Sequence, residues 1–478
     1  MRPLDRALLA SLAALGVGVP SSLAIAAHPT RVLTAAEPEA PLPDLHLGVR
    51  FEREERQGSI TREWVDPQLG PGDVSELDWT SVTNTLEIDG RVGLFRDLEL
   101  SIAAPIVLAY DSELSFSEGV EGRSTVYAPA SASTPITNAN DRSVPYAFPI
   151  TAIPSSRHRS GFGDMRFGLA WSPTVDRKDE AWPTLTFRGE VTTPTGDVWD
   201  PADPEALPGG SGGSVGRGQT VIDLSLGLSQ RAVPGAPTLD PYILFGGRLP
   251  FATSAQSELG MEPPASARVR AGTELVLAGD ADDRTHFAFG LEVLARYIGA
   301  GRTYSALSDY LPSFDPTRTD VDTIGFDQYA DPSNYRNADN PGLNCSGLVY
   351  DRDAGTREAT PGVACGELTQ VEEHIELGGE INLSAKPTPW TLFRAGFALR
   401  YVSDHVLTSE NAGVDSDPEG SNAICGGGPC LGRINRQNSL GVDERNPHYD
   451  PRYDAPGRRF RLESSFVWSF FVEAHATF

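Results

Sequence analysis

Beyond residue 27 the chain has no apolar run long enough to cross a bilayer as a helix, which excludes a helical membrane protein. Basic residues are scarce: 39 Lys and Arg stand against 65 Asp and Glu, for a net charge of -26. Such acidity excludes a nucleic-acid partner, whose phosphates demand Lys and Arg. Only four cysteines occur, Cys345, Cys365, Cys425 and Cys430, all in stretches that read as external loops. None follows residue 27 closely, so no lipid anchor is indicated. In an exported chain the default is two disulfides, Cys345–Cys365 and Cys425–Cys430. The alternative for the CGGGPC run, a metal or redox site, lacks a second cysteine pair or a nearby histidine. No cofactor motif is present. The stretch GGSVGRGQT has the outline of a phosphate loop, but Gln219 stands where the lysine is needed and a strand pattern follows in place of a helix.

The N-terminus does carry a signal. Arg2 and Arg6 precede an apolar stretch, and Ala24, Ala26 and Ala27 form an A-x-A-like cleavage site. Residues 1–27 therefore read as a secretory signal peptide and 28–44 as a short periplasmic segment, too short for a plug domain. Residues 45–478 remain as one unit. A soluble chain of this length would divide into two or three domains.

What fills that unit is alternation. In residues 460–478 one row reads Phe460, Leu462, Ser464, Phe466, Trp468, Phe470, Val472, Ala474, Ala476 and Phe478, and the other is mostly polar. A strand sends alternate side chains to opposite faces. A greasy face and a polar face along so long a strand match a barrel wall between lipid and a wet lumen. Similar segments recur at 45–54, 82–94, 98–111, 162–171, 184–193, 221–230, 242–251, 267–277, 285–298, 371–384 and 391–403. The links between them alternate short and long; the long ones are 55–81, 112–161, 194–220, 252–266, 299–370 and 404–459. Short periplasmic turns alternating with long outer loops are the barrel rule. The sequence thus predicts an all-β, antiparallel, up-and-down transmembrane barrel of about twelve strands in the bacterial outer membrane. Trp171, Trp182, Trp390 and Phe478 fall at the periplasmic ends of strands, and Trp79, Tyr110, Tyr297 and Tyr401 at the outer ends, as two aromatic girdles would.

The rows opposite the apolar ones carry charge. The lumen-facing candidates are Arg50, Glu87, Arg91, Asp164, Arg188, Glu190, Arg268, Arg270, Glu292, Arg296, Glu376, Arg394, Arg400 and Arg461. One reading is a conduction path whose charges select solutes; the other is a paired network that fills the interior. Lumen-row histidines His46, His286, His374 and His475 have no local nucleophile motif, so no enzyme is expected. The acidic stretch 315–339, with Asp320, Asp322 and Asp327, lacks the spacing of a calcium loop and reads as a solvated loop. Arg157, His158 and Arg159 fall at the outer mouth, where lipid phosphates are one partner to consider.

A resemblance adds to this reading. Gly161-Phe162-Gly163-Asp164 opens one strand, and Val191-Thr192-Thr193-Pro194-Thr195-Gly196-Asp197 ends the next. Gly216-Arg217-Gly218 then leads into IDLSLGLSQ, and Pro241-Tyr242 starts a strand that ends Gly247-Arg248-Leu249-Pro250-Phe251. This order resembles the outer-membrane barrels grouped as meta-pathway phenol-degradation-type transporters, mainly over residues 161–251. The resemblance implies passage of small hydrophobic or aromatic molecules. The expected partners are outer-membrane lipid and a small solute. The alternative is a surface barrel that does not transport, whose external loops bind a partner.

Overall fold

The computed structural model describes residues 28–32, 44–66, 70–94, 97–120, 155–175, 182–200, 206, 214–230, 238–279, 285–311, 348–351, 356–359, 367–414, 446, 448–449, 453–454 and 456–478. The signal peptide, the four cysteines and the acidic stretch 315–339 lie outside these residues.

Twelve antiparallel strands form one closed barrel. They are β1 (Asp44–Asp66), β2 (Gly70–Gly93), β3 (Leu98–Phe116), β4 (Ser155–Phe162 continuing as Arg166–Thr174), β5 (Thr184–Thr192) and β6 (Gln219–Ser229). The second half comprises β7 (Thr238–Ala252), β8 (Ser266–Gly279), β9 (His286–Ile298), β10 (His374–Thr388), β11 (Thr391–Val402) and β12 (Phe460–Leu462 continuing as Ser465–Thr477). Each pairs with its sequence neighbours, and β1 closes the wall on β12 from His46↔Thr477 to Gln57↔Phe466. Closure leaves no edge with unsatisfied backbone groups in the lipid zone, which is what a bilayer requires.

The face assignments follow the alternation. On β9, Phe287, Leu291, Val293 and Tyr297 are exposed, while His286, Ala288 and Glu292 are buried. On β10 the exposed row is Ile375, Leu377, Ile381 and Leu383. Exposed apolar rows that continue from strand to strand belong against acyl chains, not water. Trp171, Trp182, Trp390 and Phe478 are exposed at one end of this belt. Tyr297 and Phe466 are exposed at the other.

Four expectations need correction. The link 55–81 is mostly strand: β1 and β2 run 23 and 24 residues and pair all the way to Asp66↔Gly70. A membrane strand needs about 9–11 residues, so this hairpin stands well above the bilayer. Trp79 and Tyr110 do not belong to a lipid girdle. Trp79 is buried among apolar side chains, and a bulge at Leu108, which has no partner between Val107↔Thr85 and Ala109↔Asn84, reverses the alternation of β3 so that Tyr110 meets Trp199 at 4.9 Å. The closing strand is likewise interrupted at Glu463 and Ser464. Below the break Phe466, Phe470 and Val472 face lipid; above it Phe460 and Leu462 turn inward, fully or nearly buried. Finally, residues 28–32 are not free in the periplasm. The Thr186 hydroxyl donates to the Thr30 carbonyl at 2.7 Å, and Thr30 and Ser229 share a hydrogen bond of 2.6 Å, so this segment lies against the inner wall of β5 and β6.

The hydrophobic core sits above the membrane. Ile60, Leu77, Trp79 and Leu114 from the long strands pack with Leu307, Tyr310 and Leu311 of the loop after β9, with Leu407 and Tyr453 of the last loop, and with Phe460 and Leu462 of the upper part of β12. The described parts of these loops therefore form a packed lid at the outer mouth.

Candidate functional site

Below the lid the barrel encloses a chamber of about 700 Å³. Its lining comes from inward rows of β1–β8, β10 and β11 and from the loops beside β4 and β6. The inward side chains are mostly charged, and most of them pair across strands. Arg50 donates to Glu473 at 3.1 Å and to Glu52 at 3.0 Å. Arg394 donates to Glu380 at 3.2 Å and Glu473 at 3.4 Å. The ring of Phe471 lies under both guanidiniums, 4.0 Å from Arg50 and 5.3 Å from Arg394. Arg270 donates to Glu292 at 2.6 Å, and the Tyr242 hydroxyl donates to the same carboxylate at 2.8 Å. Arg296 and Arg400 share Glu376, at 3.4 and 3.5 Å, and Arg400 also reaches Glu54. Arg166 pairs with Glu87, and Glu190 stands 3.8 Å from Arg166. Arg91 contacts Asp89 at 3.2 Å and Arg188 contacts Glu99 at 3.9 Å. Arg268 forms a two-pronged pair with Asp223, both bonds 2.7 Å. Part-exposed pairs of this kind contribute little stability, so the network's main consequence is the field inside the barrel.

Two residues read as lumen-facing have other roles. Arg461 precedes the interruption in β12, and its neighbours Phe460 and Leu462 take the inward positions. Its side chain pairs at the outer rim with Asp404 at 3.1 Å and Asp73 at 3.8 Å, on exposed carboxylates. Asp164 does line the chamber, but its carboxylate accepts the backbone N–H groups of Gly196 at 3.1 Å and Arg217 at 2.9 Å. It is a fastener between loops. This explains the glycine-rich runs at 161–164, 193–197 and 216–218, which are distant in sequence and interlock in space. Gly163 N–H donates to the Pro105 carbonyl and Gly216 N–H to the Asp197 carbonyl. A Cβ on Gly216 would fall 2.7 Å from the Gly196 carbonyl oxygen and 2.8 Å from that of Asp197, both fixed backbone. Gly216→Ala is expected to cost about 1–3 kcal/mol. Gly189→Ala, whose added Cβ would meet only the Leu224 side chain at 3.5 Å, is the near-neutral control; urea titration of both in detergent measures the difference.

Sequence reasoning missed the residues that seal the mouth. Arg159 is fully buried and donates to the Asp309 carboxylate at 2.8 Å; the Trp199 indole donates to the same oxygen at 3.1 Å. Arg157 donates to the Asp309 carbonyl at 3.2 Å, and His158 pairs with Asp111 at 2.7 Å. The Arg157–His158–Arg159 triplet is thus engaged by protein, not left for lipid phosphate. No periodic signal marks Asp309 or Trp199, because each lies in a loop, and Asp309 meets Arg159 and Trp199 from 150 and 110 residues away.

His374 and His405 stack at the outer rim with ring centroids 4.0 Å apart. Each Nδ1 lies near a backbone carbonyl, of Glu372 and Ser403 respectively. Burial, reinforced by its neighbour His374, pushes His405 down to about 4, despite the nearby Asp404 and Glu376. A folded value below the unfolded 6.5 means that the unfolded loop takes up the proton first. Stability is complete above about pH 6.5, is lost as pH falls, and levels off near 4. At pH 5 the loss is about 2 kcal/mol. Protection factors of the amides at residues 405–408, with intrinsic rates divided out, are expected to fall between pH 7.5 and 5, and His405→Gln is expected to flatten that response.

A closed barrel with an apolar belt outside, aromatic ends and a charged chamber within defines a transmembrane β-barrel of the bacterial outer membrane. No family model matches the chain, and no curated protein matches it. Among solved structures it is similar to an outer membrane channel from Pseudomonas putida F1, at 11% identity over 93% of this chain and 100% of that one, with a TM-score of 0.40. It is also similar to the outer membrane protease OmpT of Escherichia coli, at 7% identity over 92% and 99% of the two chains and a TM-score of 0.29. A Pseudomonas aeruginosa FadL homologue matches at 10% identity over 91% and 90%, with a TM-score of 0.27. Likeness at these scores carries no weight for solute or activity.

Proposed function

We propose that this protein is an outer-membrane channel for small molecules, of the kind the resemblance to meta-pathway phenol-degradation-type transporters implies. The observation that carries this reading is the chamber of about 700 Å³ inside a closed wall, lined by charged side chains that remain partly wetted. A barrel serving only as a mount has no need to keep such a volume open, because twelve strands can be filled by side chains or by loops. The lid and the residues 28–32 narrow the two ends, which fits a gated, low-conductance pore better than a wide porin. Refolded protein in a planar bilayer is expected to show stepwise ion currents, and proteoliposomes to swell in small solutes. A barrel silent in both assays would sink the channel reading and favour a loop-presenting surface protein.

A further inference from the structure

Although the chain as a whole carries a charge of -26, the surface of the chamber is richer in arginine than in acid. Nine arginines line it against four carboxylates. Seven of the nine have an acid within 4.0 Å; Arg217 and Arg248 have none among the described residues. The reason is visible in the register. Arg248 on β7 stands directly opposite Asp223 on β6, its natural partner. Arg268 from β8 occupies both oxygens of that carboxylate at 2.7 Å, leaving Arg248 as the surplus cation. Arg217 enters from the loop before β6. Its guanidinium lies over the rings of Trp199 at 4.7 Å and Tyr304 at 5.5 Å, and it is exposed to the chamber although the barrel surrounds it. An aromatic face attracts and orients a cation but leaves its in-plane N–H donors free.

Uncompensated guanidiniums in one enclosed volume repel each other and favour an anion between them. A guanidinium fits a carboxylate with two parallel hydrogen bonds, which a chloride ion cannot accept. The chamber lining also carries the apolar side chains Val107, Val215, Val221 and Leu244, with Val215 in the same loop as Arg217 and Leu244 four residues from Arg248 on β7. The volume falls in the range that accommodates a compact organic ligand.

We infer that the chamber is a binding site for small organic monocarboxylates with an apolar body, held by Arg217 and Arg248. As a statement about what the channel passes, it rests on the proposed function; as a statement about binding, it does not.

The test uses the full mature chain, refolded in detergent, with benzoate as probe and benzyl alcohol as its neutral counterpart. Calorimetric titration is expected to show saturable benzoate binding and none of benzyl alcohol. Arg248→Gln weakens benzoate about tenfold, the loss of one charge-assisted contact. Arg217→Gln/Arg248→Gln abolishes binding. Arg217→Lys/Arg248→Lys keeps the charge, guards against misfolding and binds with intermediate affinity. In a bilayer under a potassium chloride gradient the reversal potential is expected to report anion preference, reduced several-fold in the double glutamine variant. Equal affinity for benzoate and benzyl alcohol, or benzoate binding unchanged in the double variant, overturns the inference whether or not the barrel conducts. Cation preference overturns it while leaving the channel standing. A barrel that binds benzoate but passes no current or solute overturns the proposed function and leaves the site.

Discussion

Asp309→Ala is expected to unseat the lid and raise single-channel conductance. Asp309 is 4% exposed and neutralises Arg159, which is fully buried; it also holds the Trp199 indole. Truncating the carboxylate strands a guanidinium in a dry site where, among the described residues, the Asp200 carbonyl at 2.8 Å, the Ser214 carbonyl at 3.5 Å and the Trp199 ring at 4.5 Å remain. Breaking a buried pair in this way costs about 3–5 kcal/mol. The cost falls on the lid, because the twelve-strand wall does not depend on Asp309 for any ladder hydrogen bond. Local opening of a few contacts is a smaller event than global unfolding and exposes its own amides first. Amide exchange at Leu307, Tyr310 and Leu311 is therefore expected to rise by orders of magnitude, while β9 and β10 stay protected. Unchanged exchange together with unchanged current would show that the Arg159–Asp309 pair does not hold the mouth.

The second large effect lies on the opposite face. Leu291 sits mid-strand on β9, 47% exposed, with Phe289 and Val293 flanking it on the same row. Arginine there must carry its charge into the hydrocarbon. Leu291→Arg is expected to destabilise the barrel by about 2–4 kcal/mol, the range for a cation near the bilayer midplane. Leu291→Val is expected to change little. Reversible unfolding in liposomes measures both. A small loss for the arginine variant would mean that this row does not face acyl chains, and would undo the membrane assignment of the whole strand.

The paired residues show why interior charge is inexpensive here. Glu292, one residue from Leu291, is buried at 4% exposure yet takes hydrogen bonds from Arg270 and Tyr242. One step along a strand moves a side chain from lipid to lumen, and the permissible chemistry reverses with it. That contrast is local, which is why it could be read without a structure. The pairing partners were not local. Arg50 and Glu473 are 423 positions apart and meet only because β1 closes on β12.

The sequence by itself determined the wall: twelve alternating segments, their direction, and which row meets lipid, because a period of two is a property of neighbouring residues. Strand ends were less legible, as with β1 and β2, since outside the bilayer the outward row turns polar while the backbone ladder continues. Tertiary structure alone decided the contents of the barrel. The bulge at Leu108 and the break at Glu463 reverse which row points inward, and no local pattern announces them. The Arg159–Asp309 lock, the 28–32 segment on the inner wall, and the contest between Arg248 and Arg268 for Asp223 all depend on contacts across the closed cylinder. Charge can be counted along a chain, but whether a charge is neutralised depends on three-dimensional distance, and closure sets those distances.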